Sequence, residues 1–358
     1  MRLAEQHRGR RALAAALLWS GQSFAFLPGP GPTLGRACQG RTVARAASGS
    51  WQLPPGGALP EPDVTSSHNP RVKFMRSFHK RKVRNSEAQA LVEGHRLLCD
   101  LVSAGVTPEM VMVSPEALQA PSGALLAAAL QTLPTERVVV ASAEVVQRCC
   151  DTVTPQGVVA VVGQPALPLP ERLELALVCD GIQDPGNLGT LVRTAAGLGA
   201  DACVLVGDCA DFWGPKTLRA TMGAAFRLPV FQAQSWQEVR DIMAKRGVSI
   251  YVADGGAANL AHFDADWARP SALVVGSEAR GPSHDVRRDV ERGDATAVQV
   301  PLLYAGVESL NAAVAGAIIL GEAQRQQMLG GRAAAAVGGA GAGEGAGATG
   351  SVAAAAPW

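Results

Sequence analysis

Three short segments carry the polar side chains that chemistry would need. "DGIQDPGNLGTLVRTA", residues 180–195, follows an apolar run, turns at Pro185-Gly186 and enters a helix bearing Asn187 and, six residues on, Arg193. "LVVGSEARG", 273–281, sets Gly276 and Glu278 just past a second apolar run. "VQVPLLYAGVESLN", 298–311, runs from a third through Pro301 to Ser309 and Asn311. The first resembles a phosphate cradle at a helix start, but its glycines lack the G-x-G-x-x-G and P-loop spacings. Neither His262 nor His284 falls in these segments, and no cysteine or carboxylate cluster has metal-ligand spacing. The chemistry on offer is that of a guanidinium, amides, a hydroxyl and one carboxylate. Each has a plain reading: Gly276 a tight turn, Glu278 a solvated acid, Ser309 and Asn311 helix caps, Arg193 the partner of a surface acid. Together they form a pattern, because each lies beyond the end of a strand signal.

The surrounding elements explain why strand ends matter. From residue 174 onward, short apolar runs alternate with helical periodicity. "LELALVCD", "ACVLVGD", "RLPVFQ", "VSIYVAD", "SALVVGSE" and "AVQVPL" read as strands. Helices are expected over 187–199, in "PKTLRATMGAA", in "WQEVRDIMAKRG" and from about Glu308 to Gln327. Continuous apolar strands separated by helices predict a parallel sheet covered on both faces. Ligands of such sheets bind beyond the carboxyl ends of the strands.

Upstream, residues 69–163 read as a smaller α/β domain, joined through a proline-rich linker at 164–173. It opens with a basic run in which Arg71, Lys73, Lys80, Arg81, Lys82 and Arg84 precede the first acid, Glu87. Such a cluster attracts phosphate without regard to sequence; the alternative is a solvated helix face. Phe74 and Phe78 lie among the charges at i, i+4, where packing inward is preferred to stacking on a base. The formal net charge of the 358 residues is only +1, so the average charge conceals this patch.

Residues 1–68 read as a targeting leader and disordered linker. The first 60 hold one acid, Glu5, against seven arginines, with the apolar core "ALAAALLW" and then "SFAF". This composition is similar to plastid leaders; a mitochondrial presequence is the alternative. Residues 330–358 are Ala/Gly low complexity and are expected to be disordered. The seven cysteines include no C-x-x-C pair and read as reduced, mostly buried thiols. No apolar run approaches the roughly 20 residues of a membrane span.

The three motifs, in this order, resemble those of the SpoU (TrmH) family of RNA ribose 2′-O-methyltransferases, and the likeness runs from about Leu175 to Gln327. "LVEGHRLL" is similar to the small ribosomal-protein-like domain with which many members bind RNA. Leu302 stands where methionine is frequent. The resemblance implies a SPOUT-type parallel sheet with a C-terminal trefoil knot, S-adenosylmethionine as cofactor, no metal, an RNA substrate and a homodimer. Ribosomal RNA is favoured over transfer RNA. By likeness Arg193 contacts the target nucleotide and serves as base. A guanidinium holds its proton at neutral pH, so clamping a phosphate and stabilising alkoxide charge suit it better. Asn187 would orient the ribose or the arginine, Glu278 would fix the neighbouring loop, and Ser309 and Asn311 would hold the substrate edge. Gly276, Glu278, Val300, Leu302, Ser309 and Leu310 would face the cofactor, largely through backbone. Two rivals remain at this point. One is a non-catalytic RNA-binding assembly factor on the same fold. The other is a nicotinamide-dependent oxidoreductase, disfavoured by the missing glycine fingerprint.

Overall fold

The computed structural model describes residues 49–54, 58–256, 259–304 and 306–339. Most of the leader and the end of the Ala/Gly tail lie outside them. Asn69 accepts the Arg71 amide, and Pro70 takes a first-turn position needing no amide donor, so helix α1 (Pro70–Ser77) starts there. After α2 (Arg81–Glu87) come β1 (Gln89–Glu93), α3 (His95–Ser103), β2 (Met110–Val113), α4 (Pro115–Gln119), α5 (Gly123–Gln131), β3 (Val138–Val140), α6 (Ala143–Cys149) and β4 (Val158–Gly163). The strands form a mixed sheet in the order β1-β4-β2-β3, with β4 antiparallel to β1 and β2, and β2 parallel to β3. Phe78 is fully buried with Met75, Leu91 and Met112, and Phe74 meets it edge to face at 5.1 Å, so both rings pack inward.

The linker expected up to residue 68 is too long. Trp51 and Val64 are buried, and the Val64 amide donates to the Val140 carbonyl. A tryptophan and a valine that can reach the edge of an apolar core gain more from burial than they lose in chain entropy.

The second sheet is entirely parallel. Its elements are β5 (Leu175–Asp180), α7 (Pro185–Gly197), β6 (Ala202–Val206), α8 (Pro215–Thr221), β7 (Val230–Gln232), α9 (Trp236–Lys245), β8 (Ser249–Ala253), β9 (Leu260–Ala261), β10 (Ser271–Gly276), α10 (His284–Arg292), β11 (Thr296–Gln299) and α11 (Ala312–Gly339). The strand order is β7-β6-β5-β10-β8-β11-β9. Alternate residues of β5 serve two cores. Leu175, Leu177 and Cys179 meet Leu188, Leu191, Ile319 and Leu320 of α7 and α11. Ala176 and Val178 meet Val239, Met243 and Val286 of α9 and α10. This two-sided burial is why the strands read as unbroken apolar runs. The two-residue β9 has too little pattern to be read from sequence.

The last helix begins at Ala312, four residues later than expected, and runs through the Ala-rich segment to Gly339, ten residues past the expected end of the fold at 329. Alanine, the strongest helix former, accounts for the extension. No helix among the described residues is long and apolar enough to cross a membrane. The six described cysteines are free thiols. Burial pushes Cys149 up to about 11, and Cys150 and Cys209 up to about 12. Cys149 and Cys209 should therefore stay unmodified by alkylating reagents at pH 8 in the folded protein. Mass mapping after labelling checks this, and rapid native labelling of either would contradict their burial.

Candidate functional site

The sheet's order of construction creates the site. From β5 the chain builds outward through β6 to β7, then crosses to lay β8 and β10 on the other side, with β10 directly beside β5. The β5/β10 boundary is a topological switch point, where connections leave in opposite directions and open a crevice. Asp180 and Gly276 pair in register at its rim.

Three side chains from the three motifs meet at this rim. The Asn187 amide donates from Nδ2 to Glu278 Oε1 at 2.8 Å. Asn311 Nδ2 donates to Asn187 Oδ1 at 3.1 Å. Asn311 Oδ1 in turn accepts the backbone amides of Ala313 at 2.9 Å and Val314 at 3.3 Å, capping α11. The chain Glu278–Asn187–Asn311 thus ties the exits of β5, β10 and β11 to a helix start. Its direction is fixed at each link, because a carboxylate only accepts while an amide does both.

Asn187 is free for this because it is not the helix cap. Asp184 holds that place, with Oδ1 accepting the Asn187 amide at 2.8 Å and Pro185 next in line. Asn187 is of a type that suits a helix cap, but the Asp184-Pro185 pair is the stronger start signal and leaves Asn187 in the first turn. Asp180, the last residue of β5, also takes part. It is buried, and Oδ2 accepts the Ser283 amide at 2.6 Å, anchoring the turn after β10. That turn is tight: a Cβ on Gly276 would come within 2.4 Å of the Gly281 and Pro282 backbones.

Arg193 does not join the cluster. At about 100° per residue it lies roughly 120° around α7 from Asn187. It is exposed, and among the described residues it has no hydrogen-bond or ion-pair partner. Ser309 is likewise exposed, in the loop before α11 rather than on the helix. Val300 and Leu310 are half-buried, while Leu302, Leu303, Tyr304 and Val307 are exposed. The one loop-internal backbone hydrogen bond between described residues of 300–310 is from Val307 to Tyr304. A separate cleft of about 430 Å³ is lined by Asp180, Asp208, Arg280, Ser283 and Arg287, and the three-residue cluster lies outside it on open surface.

The basic segment divides. Arg71, Lys73, Lys80, Arg81 and Lys82 are exposed. Arg84, expected among the RNA contacts, is buried, and its guanidinium is bound to Asp211 and to the Phe78 carbonyl. Its place on α2 turns it toward the second sheet, so it cannot reach a phosphate in solvent.

Residues 174–321 match the SpoU rRNA Methylase family, and residues 69–160 match an MRM3-like substrate binding domain. The chain is 34% identical over 302 residues to the mitochondrial rRNA methyltransferase 3A of Danio rerio, covering 70% of this chain and 66% of that protein. It thus spans about two thirds of that relative. It is 33% identical to the 23S rRNA (guanosine(2553)-2′-O)-methyltransferase RlmP of Bacillus subtilis, over 72% of this chain and 97% of the relative. The AdoMet-bound rRNA methyltransferase of Sinorhizobium meliloti superposes with a TM-score of 0.61 at 28% identity, covering 73% of this chain and 97% of that one. With its strand-exit cluster, its parallel sheet and these matches, the chain belongs to the SpoU rRNA methylase family.

Proposed function

We propose that this protein transfers a methyl group from S-adenosylmethionine to a ribose 2′-hydroxyl of organellar ribosomal RNA. The observation that carries this reading is the Glu278–Asn187–Asn311 chain, which joins all three motif segments at the switch point. Bound beside the 276–281 and 300–310 loops, the cofactor supplies a methyl on a positively charged sulfur. Gly276, Val300, Leu302 and Leu310 offer it backbone and apolar contact, with Glu278 and Ser309 at its edge. Asn187, its amide oriented by Glu278 and Asn311, positions the ribose. Arg193, lacking an acid partner, is free to clamp an RNA phosphate and to stabilise charge on the attacking oxygen.

The knotted arrangement of the family belongs to the same reading. It is supported by the return of the chain from β11 past β8 to pack α11 against β10 and α7. A homodimer does too: Leu302, Leu303, Tyr304, Val307, Val314 and Ile318 leave an apolar surface exposed beside the site. Pairing two copies there also offers a way to bring an arginine from outside the cluster to the ribose. The mitochondrial name of the zebrafish relative supports an organelle; the leader composition favours the plastid.

Ribosomal RNA fits both the relatives' names and the exposed cations of α1 and α2. Neutralising Lys80, Arg81 and Lys82 together should weaken RNA binding and lower the salt slope by about 0.7–0.9 per lost phosphate contact. Filter binding between 50 and 200 mM salt reads this, and an unchanged slope removes the patch from the interface. Mapping 2′-O-methyl positions in plastid and mitochondrial rRNA, with and without the gene, tests the function itself. Loss of a single ribose methyl on deletion is expected, and identical maps would refute the assignment.

A further inference from the structure

Two arginines tie the substrate-binding sheet to the methyltransferase sheet, and neither has a part in the chemistry described above. Arg84, on α2, reaches Asp211, just before α8; the two side chains are 4% and 25% exposed. Arg219, in the last turn of α8, has Nη1 3.2 Å from Glu93 Oε2 at the end of β1, an ion pair without an aligned hydrogen bond, and donates from Nη2 to Asp151 Oδ2 at 3.4 Å. The Glu93 side chain is 4% exposed, and its carboxylate also accepts the Asp151 amide at 2.7 Å and the Thr152 hydroxyl at 3.2 Å. The first domain therefore holds the segment leading into α8 through Arg84 and the last turn of α8 through Glu93.

From α8 the connection passes to the site. Gly189 of α7 lies against α8 so closely that a Cβ there would come within 2.5 Å of the Ala220 Cβ and 2.6 Å of the Thr217 carbonyl oxygen. The next residues of α7 toward its start include Asn187, and Arg193 follows on the same helix. An unbroken line thus runs from the basic helix, through α8, to the site.

Holding two domains together does not need buried charge. A continuous apolar cluster already spans both sheets, including Val92 and Leu97 on one side and Leu218 and Leu188 on the other. Apolar contact is non-directional, however, so it specifies a relative orientation less sharply than a charge pair does. A charge withdrawn from water, as Glu93 and Arg84 are, is costly without its counter-ion beside it, so these pairs favour arrangements that keep the partners together.

We propose that Arg84 and Arg219 are positioning residues that hold the RNA-binding surface at a fixed offset from the Asn187 cluster and thereby select the nucleotide that is methylated. This rests on the reading of the protein as an rRNA methyltransferase. The test uses the full chain, tritiated S-adenosylmethionine and in vitro transcripts of plastid and mitochondrial large-subunit rRNA. Methylated positions are mapped at single-nucleotide resolution for wild type, Arg84→Ala, Arg219→Ala and Arg219→Lys.

Both alanine variants are expected to bind the cofactor as wild type does. Their selectivity for the main nucleotide over neighbouring riboses should fall about tenfold or more, since small displacements of a reacting group cost up to about a hundredfold. Arg219→Lys should restore part of it. A purely structural role would lower the active fraction and leave the ratio between nucleotides constant. Alanine variants with an unchanged ratio overturn the proposal. Should Arg84→Ala not fold, Asp211→Asn breaks the same pair from its more exposed side and carries the same expectation. A wild type that methylates neither transcript refutes the enzymatic reading instead, and is distinguishable because it fails before any variant is compared.

Discussion

Arg193→Ala lowers methyl transfer to rRNA by about a hundredfold to a thousandfold, the usual cost of removing one donor to a developing oxyanion, while the affinity for S-adenosylmethionine stays within about twofold. The split follows from position. Arg193 is exposed on α7, about 120° around the helix from Asn187, and makes no hydrogen bond or ion pair with either loop assigned to the cofactor. Its removal leaves the packing intact, because Leu191 and Val192 beside it carry the burial. Single-turnover transfer with calorimetry on the same preparation separates the two quantities. Arg193→Lys keeps the charge but loses the two-pronged grip on phosphate, and should recover only a minor part of the rate. Equal loss of transfer and cofactor affinity in the alanine variant would assign Arg193 to the fold rather than to the RNA.

Gly276→Ala has the opposite signature, with cofactor affinity and transfer falling together. The added methyl would sit 2.4 Å from two backbone atoms, Gly281 C and Pro282 N, which cannot rotate away as a side chain would. To make room, the turn closed by the Gly281 amide on the Ser277 carbonyl at 2.7 Å must open. The 2.6 Å tie from Ser283 to Asp180 must lengthen with it. Overpacking of this kind costs about 1–3 kcal/mol, which corresponds to about fivefold to 150-fold in affinity if it falls on the bound state. Calorimetric titration reads it, with thermal unfolding as the control for global damage. Wild-type affinity in a folded Gly276→Ala protein would place the cofactor away from this turn.

Much of this was legible in the sequence, for identifiable reasons. Strands buried on both faces give unbroken apolar runs, so their ends are sharp, and Asn187, Glu278 and Asn311 could be placed at strand exits. Their mutual hydrogen bonds could not be read, because the order β5-β10-β8 depends on how similar apolar strands choose neighbours. Asn311 caps α11 as its type suggests, whereas Asp184, marked by the proline that follows it, takes the cap of α7 and leaves the Asn187 side chain to the cluster. Arg84 shows the limit most clearly. Along the chain it is one more cation in a basic run, and only Asp211, 127 residues away, makes it a buried partner. Trp51 and Val64 were hidden similarly in a segment whose composition suggested a linker.

The central claim is that the reacting group is a ribose hydroxyl, and alkaline hydrolysis tests it most directly. A 2′-O-methyl group removes the nucleophile that cleaves the adjacent phosphodiester, so that linkage survives base. After transfer from tritiated S-adenosylmethionine to rRNA, complete hydrolysis should leave the label in alkali-stable dinucleotides of a single sequence. Label released in mononucleotides would mean methylation of a base, and would contradict the account.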